Sequence, residues 1–161
     1  MMLGTTCRHA LLLPVAVGLL LLAAAVRADA GTVYTERGLA IGGADPIAYF
    51  EGRGPIVGRP DLTVTWQGAI WQFISEAHRA TFLAEPDRWA PSYGGYCAFS
   101  MSRGRASASS IALWAVVDEH LYLFQSEAAR DRFLRDQDLT IHLADEAWPM
   151  VRAALVDADG S

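Results

Sequence analysis

The chain lacks lysine entirely, so every one of its 13 basic residues is an arginine. Without a lysine amine, the protein cannot form a Schiff base through its own side chains. The sequence also has no closely spaced cysteine pair and no glycine-rich phosphate loop, the patterns typical of zinc and nucleotide sites. No motif joins a nucleophile to a histidine and an orienting residue, so the sequence does not predict an enzyme.

Cysteine is scarce too, with only Cys7 and Cys97 in the chain. Cys7 precedes an apolar run at 10–25, and segment 1–30 has Arg8 near its start and small residues at its end, as in a cleaved secretory signal. The run is shorter than the roughly 18 residues of a membrane span. We therefore expect a periplasmic or secreted protein; retention of the segment as a single membrane anchor is the alternative.

The remaining chain is acidic. Removing Arg8, Arg27 and Asp29 with the signal leaves 131 residues with 11 basic and 17 acidic side chains, a net charge of −6. Nucleic acid and anionic lipid are poor partners for that balance, and we expect no membrane contact after signal cleavage. The length favours a single domain, predicted at 31–156, followed by a mobile, acidic end at 157–161.

Alternating hydrophobicity predicts a β-hairpin at 62–74, with Trp71 and Phe73 on one face of its second strand. Ser75 then predicts the N-cap of a helix that ends before Pro86. The residues of this helix expected to face the core are Ala77, Ala80, Phe82 and Leu83.

A second hairpin and helix are predicted at 114–136, with Ser126 as the helix cap. Segments 73–83 and 124–134 agree at seven of eleven positions, 51 residues apart. Two related halves explain this agreement, and convergence of two capped amphipathic helices is the alternative. The predicted fold class is α+β, with two β-hairpin–helix units around a small antiparallel sheet and additional short helices.

Two further helices are predicted. Asp45 followed by Pro46 has the pattern of an N-cap and a first helical position, which begins a short helix. The apolar spacing at 139–147 predicts another helix, which Pro149 should break because proline cannot donate the next backbone hydrogen bond.

The stretch at 91–101 organises the rest of the chain. Gly94 and Gly95 allow a sharp turn and a close approach of another group, and the turn would present Cys97. If the next residues are helical, Cys97 and Met101 share one face and bring two soft sulfur atoms together. An unpaired cysteine in an oxidising compartment indicates burial, metal ligation or a reactive thiol.

Four segments together resemble the exported bacterial proteins of the YHS domain family, and they span nearly all of the chain after residue 30. They are Asp-Pro-x-Ala-Tyr-Phe at 45–50, the hairpin and helix at 71–86, Tyr-Gly-Gly-Tyr-Cys-Ala at 93–98, and Trp114 with Leu-Tyr-Leu at 121–123. The resemblance implies a fold more than an activity, since the function of the exported members is unsettled.

Smaller relatives in metal-handling proteins carry a pattern similar to aromatic-x-Phe-Cys-Ser-x-x-Cys. In this chain Ile74 stands at the first of these cysteine positions and His78 at the second. Ile74 cannot bind a metal ion, but His78 can. Exported members usually carry asparagine there, so His78 departs from their pattern.

These residues predict a small extracytoplasmic binding module with a metal site built from Cys97, His78 and Met101. Thiolate, thioether and imidazole together favour copper as Cu(I). The first alternative is a structural or protein-interaction domain in which Cys97 is buried and unreactive, and the partner is then another protein. A redox enzyme that uses the Cys97 thiol is the third.

Overall fold

The computed structural model describes residues 32–159. The predicted signal at 1–30 lies outside the described residues, as do positions 160–161 of the predicted mobile end. The strands are β1 (Thr35–Glu36), β2 (Leu39–Ala40), β3 (Arg59–Trp66), β4 (Ala69–Phe73), β5 (Ser110–Val117) and β6 (His120–Phe124). The helices are α1 (Pro46–Phe50), α2 (Glu76–Ala84), α3 (Pro86–Trp89), α4 (Ala98–Met101), α5 (Glu127–Arg135) and α6 (Gln137–Asp159). The α+β class is confirmed.

Both predicted hairpins form, and they share one register at an offset of 51 residues. The pairing of β3 with β4 shifts between Arg59 and Thr63, and the pairing of β5 with β6 shifts between Ser110 and Trp114. A bulge at the same place in both hairpins bends both first strands alike. The two related halves are therefore confirmed at the level of backbone pairing.

The turns and caps of the two units also match. Each hairpin closes through two residues with positive φ, at 67–68 and at 118–119, the geometry that suits the twist of a tight hairpin. Ser75 and Ser126 then cap α2 and α5, each hydroxyl accepting a backbone N–H bond from three residues on, at 3.1 and 3.2 Å.

A glycine turn and a short helix precede each hairpin. The first glycine turn (Ile41–Gly43) has φ values of +43°, +60° and +81°, and the end of the second glycine turn (Ser92–Gly95) has +56°, +62° and +83° at 93–95. One residue follows each turn, and then comes the N-cap of α1 or α4, which is Asp45 or Cys97. At an offset of 52, Asp45 and Cys97 therefore hold equivalent positions.

The strands form two sheets, in place of the single small antiparallel sheet expected. One has the order β1-β2-β4-β3, with β2 parallel to β4 through Leu39 and Ile70, and the other holds β5 and β6. At the corresponding edge of β6 a single parallel bridge joins Cys97 to Leu123. Pro91 holds the position equivalent to Leu39, and proline has no N–H to extend a ladder, so this edge gains no strand.

Strand β6 separates two core clusters. Leu121 and Leu123 face the first, while Tyr122 and Phe124 face the second. The large buried residues that the first half supplies to the first cluster are Ile41, Ile47, Tyr49, Trp71, Phe73 and Phe82. The other large buried residues of the second cluster are Tyr93, Cys97, Met101 and Phe133. Alternation along β6 thus contributes side chains of this strand to both clusters.

The buried face of α2 differs from the prediction. Phe82 is buried as expected, but Ala77 and Ala80 are exposed and Leu83 is 50% exposed. The face that meets the protein carries His78 and Phe82, one helical turn apart, because His78 turns inward to a hydrogen-bond partner.

The predicted break at Pro149 is wrong, since α6 continues through it to Asp159. Residues on both sides of Pro149 pack on the second cluster: Ala144 is buried, and Trp148 and Val151 contact it. This packing outweighs the hydrogen bond that proline removes. The helix thereby includes 157–159 of the predicted mobile end. No helix in residues 32–159 has the length and apolarity to cross a membrane.

Candidate functional site

His78 is held by the fully buried carboxylate of Asp45. Oδ1 of Asp45 accepts a hydrogen bond from the backbone N–H of Ile47 at 2.9 Å, which confirms the predicted cap of α1. Oδ2 accepts from the N–H of Ile74 at 2.8 Å and lies 2.8 Å from Nδ1 of His78. Because the carboxylate accepts here, the imidazole carries a hydrogen on Nδ1. One side chain thus ties α1, the end of β4 and α2 together.

The other imidazole nitrogen faces Glu51, which follows α1. Nε2 of His78 lies 3.3 Å from Oε1 of Glu51, and Oε2 of Glu51 lies 3.2 Å from the guanidinium of Arg53. The His78 side chain is 13% exposed, so water reaches only the edge of the ring. From the core to the surface the side chains follow in the order Asp45, His78, Glu51 and Arg53. Because acidic and basic groups alternate, little uncompensated charge remains near the buried carboxylate of Asp45.

An Asp–His pair of this kind orients a catalytic base in many hydrolases, where the free nitrogen faces a nucleophile. Within residues 32–159, no serine, threonine or cysteine side chain forms a hydrogen bond with Nε2 of His78, whose contact is Glu51. The pair joins α2 to α1 and to the end of β4.

Cys97 and Met101 share one buried site in the second half. Both side chains are 0% exposed and belong to the second core cluster, and the N–H of Met101 donates to the carbonyl of Cys97 at 2.9 Å. The expected helical spacing of the two sulfur atoms is thereby observed. The thiol is fully buried, which favours a structural role over a reactive one.

The structure places the three predicted metal ligands in two regions. The contacts of Cys97 and Met101 lie in the second cluster, whereas His78 contacts Asp45 and Glu51 in the first half. Among the described residues, no three or more histidine, cysteine or acidic side chains are arranged to hold a metal ion. Copper ligation by Cys97, Met101 and His78 together stays a prediction.

The partners of His78 were not identified from the sequence. The sequence predicts Asp45 as a helix cap and indicates no role for Glu51. The signal lay in the two Gly-Gly pairs, Gly42-Gly43 and Gly94-Gly95, which are 52 residues apart. Aligning them makes Asp45 the counterpart of Cys97 and places it near the helix that carries His78.

The second glycine turn makes room for the chain's own backbone. A Cβ on Gly94 would lie 1.8 Å from the carbonyl oxygen of Thr32, and the N–H of Tyr34 donates to the carbonyl of Gly94 at 2.8 Å. The close approach expected at this turn is therefore made by residues 32–34. This packing places Tyr93 beside a surface cleft.

That cleft, called the aromatic cleft below, has a volume of about 210 Å³. It lies between the tip of the first hairpin, the second glycine turn, the start of β6 and α6. Its aromatic walls are Trp66, Trp71, Tyr93 and Trp148, and its polar residues are Gln67, Asp87, Ser92, His120 and Arg152. Trp66 and Trp148 are half-buried, so part of each ring is open to solvent.

Tyr93 is the most constrained residue of the aromatic cleft. Its φ of +56° lies in the left-handed region, which costs a non-glycine residue roughly 1–3 kcal/mol. The ring is buried, and the hydroxyl donates to Oδ1 of Asp145 at 2.9 Å. Burial first, and then the Asp145 carboxylate, raise the pKa of Tyr93 above its usual value. The phenol is therefore a fixed neutral donor at neutral pH.

The other described histidines lie at the surface. Nδ1 of His120 donates to the carbonyl of Asp118 at 2.7 Å at the tip of the second hairpin. His142 is 68% exposed on α6, where Nε2 lies 3.5 Å from a carboxylate oxygen of Glu146. Of the two, only His120 lines the aromatic cleft.

Comparison of the chain with protein-family models, with curated proteins and with solved structures finds no match.

Proposed function

We propose that the protein is a non-catalytic binding module whose ligand occupies the aromatic cleft. The observation that carries the proposal is the concave aromatic lining built by both halves and α6, in which Asp145 holds the phenol of Tyr93. The left-handed φ of Tyr93 is shared by Ile41 at the equivalent position, so it belongs to the repeated glycine turn. Concave sites with aromatic walls and a few polar groups are typical of small-molecule binding.

The aromatic rings and the carboxylate of the cleft favour a small planar cation, although Arg152 lines the same cleft. Its volume of about 210 Å³ is below the roughly 300–1,000 Å³ of sites for drug-sized ligands. Trp66 and Trp148 line the cleft, and indole rings attract cations. Asp87 offers a carboxylate, and Nε2 of His120 accepts hydrogen bonds in the neutral ring because Nδ1 donates to the Asp118 carbonyl. The acidic net charge of the chain works in the same direction.

Benzamidine, a planar cation, and benzoate, a planar anion of similar size, test the proposal. Titration followed by the indole N–H resonances should move Trp66 and Trp148 with benzamidine at millimolar concentration. Asp87→Asn should weaken this binding about tenfold, the usual effect of losing a charged hydrogen-bond partner. Asp61→Asn, at an exposed acid on β3, is the matched control and should change nothing.

Two results would overturn the proposal. Unmoved tryptophan resonances with both probes would leave the cleft without a ligand of this class. Tighter binding of benzoate than of benzamidine would show that the cleft prefers an anion, which the guanidinium of Arg152 on the same cleft would attract.

In this proposal Cys97 is a core residue, which was the first alternative from the sequence. Its burial in the second cluster supports that role. Cys97→Ala should leave benzamidine binding unchanged and lower the stability modestly, by about 1 kcal/mol for a small group lost from the core. Rapid alkylation of the native thiol at mildly acidic pH would instead favour the thiol enzyme.

Soft-metal binding is the second candidate, favoured by the shared burial of Cys97 and Met101 one helical turn apart. Anaerobic loading with Cu(I) should give about one bound equivalent that Cys97→Ser abolishes. His78→Ala tests the third ligand, since unchanged binding would remove His78 from the site. Absence of binding in the unaltered protein would leave Cys97 with a structural role alone.

A location outside the cytoplasm and kinship with the YHS domain family are proposals supported by the sequence. Intact-mass measurement of the exported chain tests the location, because signal cleavage would remove residues 1–30. An unshortened chain found in the membrane fraction would favour the retained anchor.

A further inference from the structure

A second groove lies between α4, α5 and α6, beside the second core cluster, and has a volume of about 380 Å³. We call it the arginine groove. Its residues that matter for the argument are Phe99, Arg103, Arg132, Arg135, Leu139 and Leu143. Leu139 is 59% and Leu143 40% exposed, so apolar surface adjoins the three guanidinium groups. The groove shares no lining residue with the aromatic cleft.

The arginines of the described residues differ in whether a carboxylate lies beside them. In the first half and α3, Arg53, Arg59, Arg79 and Arg88 each lie within 4.0 Å of a carboxylate oxygen. No carboxylate oxygen of residues 32–158 lies that close to Arg103, Arg132 or Arg135, and the same holds for Arg37, Arg105 and Arg130 outside the groove. Among the residues that line the groove, three are arginines and one, Asp136, is acidic.

Two of these cations converge on one aromatic ring. The guanidinium carbons of Arg103 and Arg132 lie 4.4 and 5.8 Å from the ring centre of Phe99. They are therefore no farther apart than 10.2 Å, the sum of those distances. Like charges repel over about 8–10 Å at physiological ionic strength, so an anion between them would relieve that repulsion. Arginine forks suit phosphate and carboxylate oxygens.

The hydroxyl groups of the groove bond to the backbone and leave the arginines available to an anion. The hydroxyls of Thr140 and Ser102 donate to the carbonyls of Asp136 and Phe99, at 2.8 and 2.9 Å. The carboxylate of Asp136 lines the groove and opposes an anion at that end. An anion is therefore favoured at the other end, over Phe99.

We propose that the arginine groove binds a small organic anion, with its phosphate or carboxylate between Arg103 and Arg132 and its apolar part on Leu139 and Leu143. The volume lies within the range of small-molecule sites. A polyanion such as nucleic acid is disfavoured because the whole chain is acidic. The inference is independent of the ligand proposed for the aromatic cleft.

Phenyl phosphate is the probe, and inorganic phosphate is its counterpart without an apolar part. Titration of the ¹⁵N-labelled protein at low salt should shift the Nε–H resonances of Arg103 and Arg132, and phenyl phosphate should bind at least about fivefold tighter than inorganic phosphate. Arg103→Gln and Arg132→Gln should each weaken binding about tenfold. Both side chains are exposed, so the variants should fold.

Arg79→Gln is the matched control, because it removes one arginine of the first half that already has a carboxylate partner. Equal weakening by Arg79→Gln would overturn the proposal, since only net charge would then matter. Equal affinity for the two phosphates would overturn the apolar part of the site. Sedimentation with vesicles of phosphatidylcholine and phosphatidylglycerol, lost in Arg103→Gln, would overturn the small-molecule source in favour of a lipid surface.

Discussion

The two halves of the molecule share a backbone and differ in the chemistry that joins their elements. In the first half, the N-cap residue Asp45 bonds to His78 of the following long helix. At the equivalent positions of the second half stand Cys97 and Ala129, both buried in the second core cluster. A hydrogen-bonded pair in the first half and an apolar pair in the second half therefore join the same succession of elements. This succession is a glycine turn, a short helix, a hairpin and a second helix. The backbone arrangement common to both halves depends on the glycine turns, the serine caps and the hairpin pairing. The two side chains that join the short helix to the second helix can differ between the halves.

The same comparison applies to charge. Glu51 follows α1 and lies between His78 and Arg53, whereas Arg103 holds the equivalent position after α4. Gly52 and Gly104, next in each half, have φ values of +69° and +70°, so the backbone is unchanged. In the first half Arg53, Arg59 and Arg79 each pair with a carboxylate, while Arg103, Arg132 and Arg135 of the second half line a groove. The same backbone arrangement thus carries mainly paired charges in the first half and an exposed arginine groove in the second half.

The largest effect should come from Asp45→Ala. The substitution leaves His78 and the N–H groups of Ile47 and Ile74 without their acceptor inside the protein. We expect a loss of about 3–5 kcal/mol in the free energy of unfolding, measured by urea denaturation. A double-mutant cycle with His78→Ala should give a coupling energy of at least about 1 kcal/mol.

Cys97→Ala is the control at the equivalent position and should cost only about 1 kcal/mol, since no hydrogen-bond network depends on the thiol. Equal losses for Asp45→Ala and Cys97→Ala would erase the proposed difference between the two joining pairs.

The second prediction compares equivalent glycines. Gly94→Ala should cost about 2–4 kcal/mol, because its Cβ would meet the Thr32 carbonyl oxygen at 1.8 Å in addition to the left-handed strain. Gly42→Ala has the same strain, but its nearest contact is a side-chain oxygen of Glu36 at 3.3 Å, so about 1 kcal/mol is expected. Thermal unfolding of both variants measures the difference. A larger loss at Gly42 would contradict the role of residues 32–34 at the second turn.

The sequence predicted what local patterns determine. Alternating apolar residues determined both hairpins, and Ser75 and Ser126 marked the helix starts because their hydroxyls satisfy local N–H groups. It did not predict that α6 passes through Pro149, since that result depends on packing of Trp148 and Val151 against residues distant in the chain.

The candidate site was harder to predict for the same reason. The sequence identified His78 as unusual but favoured a sulfur partner, Cys97, over Asp45. The chemical preference of soft metals for sulfur does not determine whether Asp45 or Cys97 lies beside the helix that carries His78. That choice depends on which half each element packs against, and the repeat offset of 52 residues was the available guide.

The third prediction concerns alkaline pH. Burial raises the pKa of Tyr49 in the first half and of Tyr93 in the second, and Asp145 raises the pKa of Tyr93 further. Both tyrosines ionise near pH 10 in the unfolded chain, so their contribution is complete below pH 10 and is lost as the pH rises toward the folded values. Tyr93→Phe or Tyr49→Phe should each remove at most about 1.4 kcal/mol per pH unit from the slope of stability above pH 10. An unchanged slope in Tyr93→Phe would show that its phenol ionises in the folded protein.

The smallest effect should come from the exposed ion pair on α2. Arg79 lies three residues after Glu76 and lowers the pKa of that carboxyl group, so the pair contributes at neutral pH and its contribution is lost as the pH falls through the folded value. Arg130, the counterpart on α5, has no carboxylate oxygen within 4.0 Å among residues 32–158. Arg79→Ala should lower the melting temperature slightly and only at low salt, and Arg130→Ala should not. A larger loss for Arg130→Ala would reverse this part of the comparison.

The most direct test of the account is the ¹⁵N NMR spectrum of the His78 imidazole in Asp45→Asn and in Cys97→Ser. The account predicts that Asp45→Asn moves the Nδ1 resonance of His78 and that Cys97→Ser leaves it unchanged. A resonance that responds to Cys97→Ser and ignores Asp45→Asn would contradict the account, because the joining pair of the first half would then be a histidine and the cysteine of the other half.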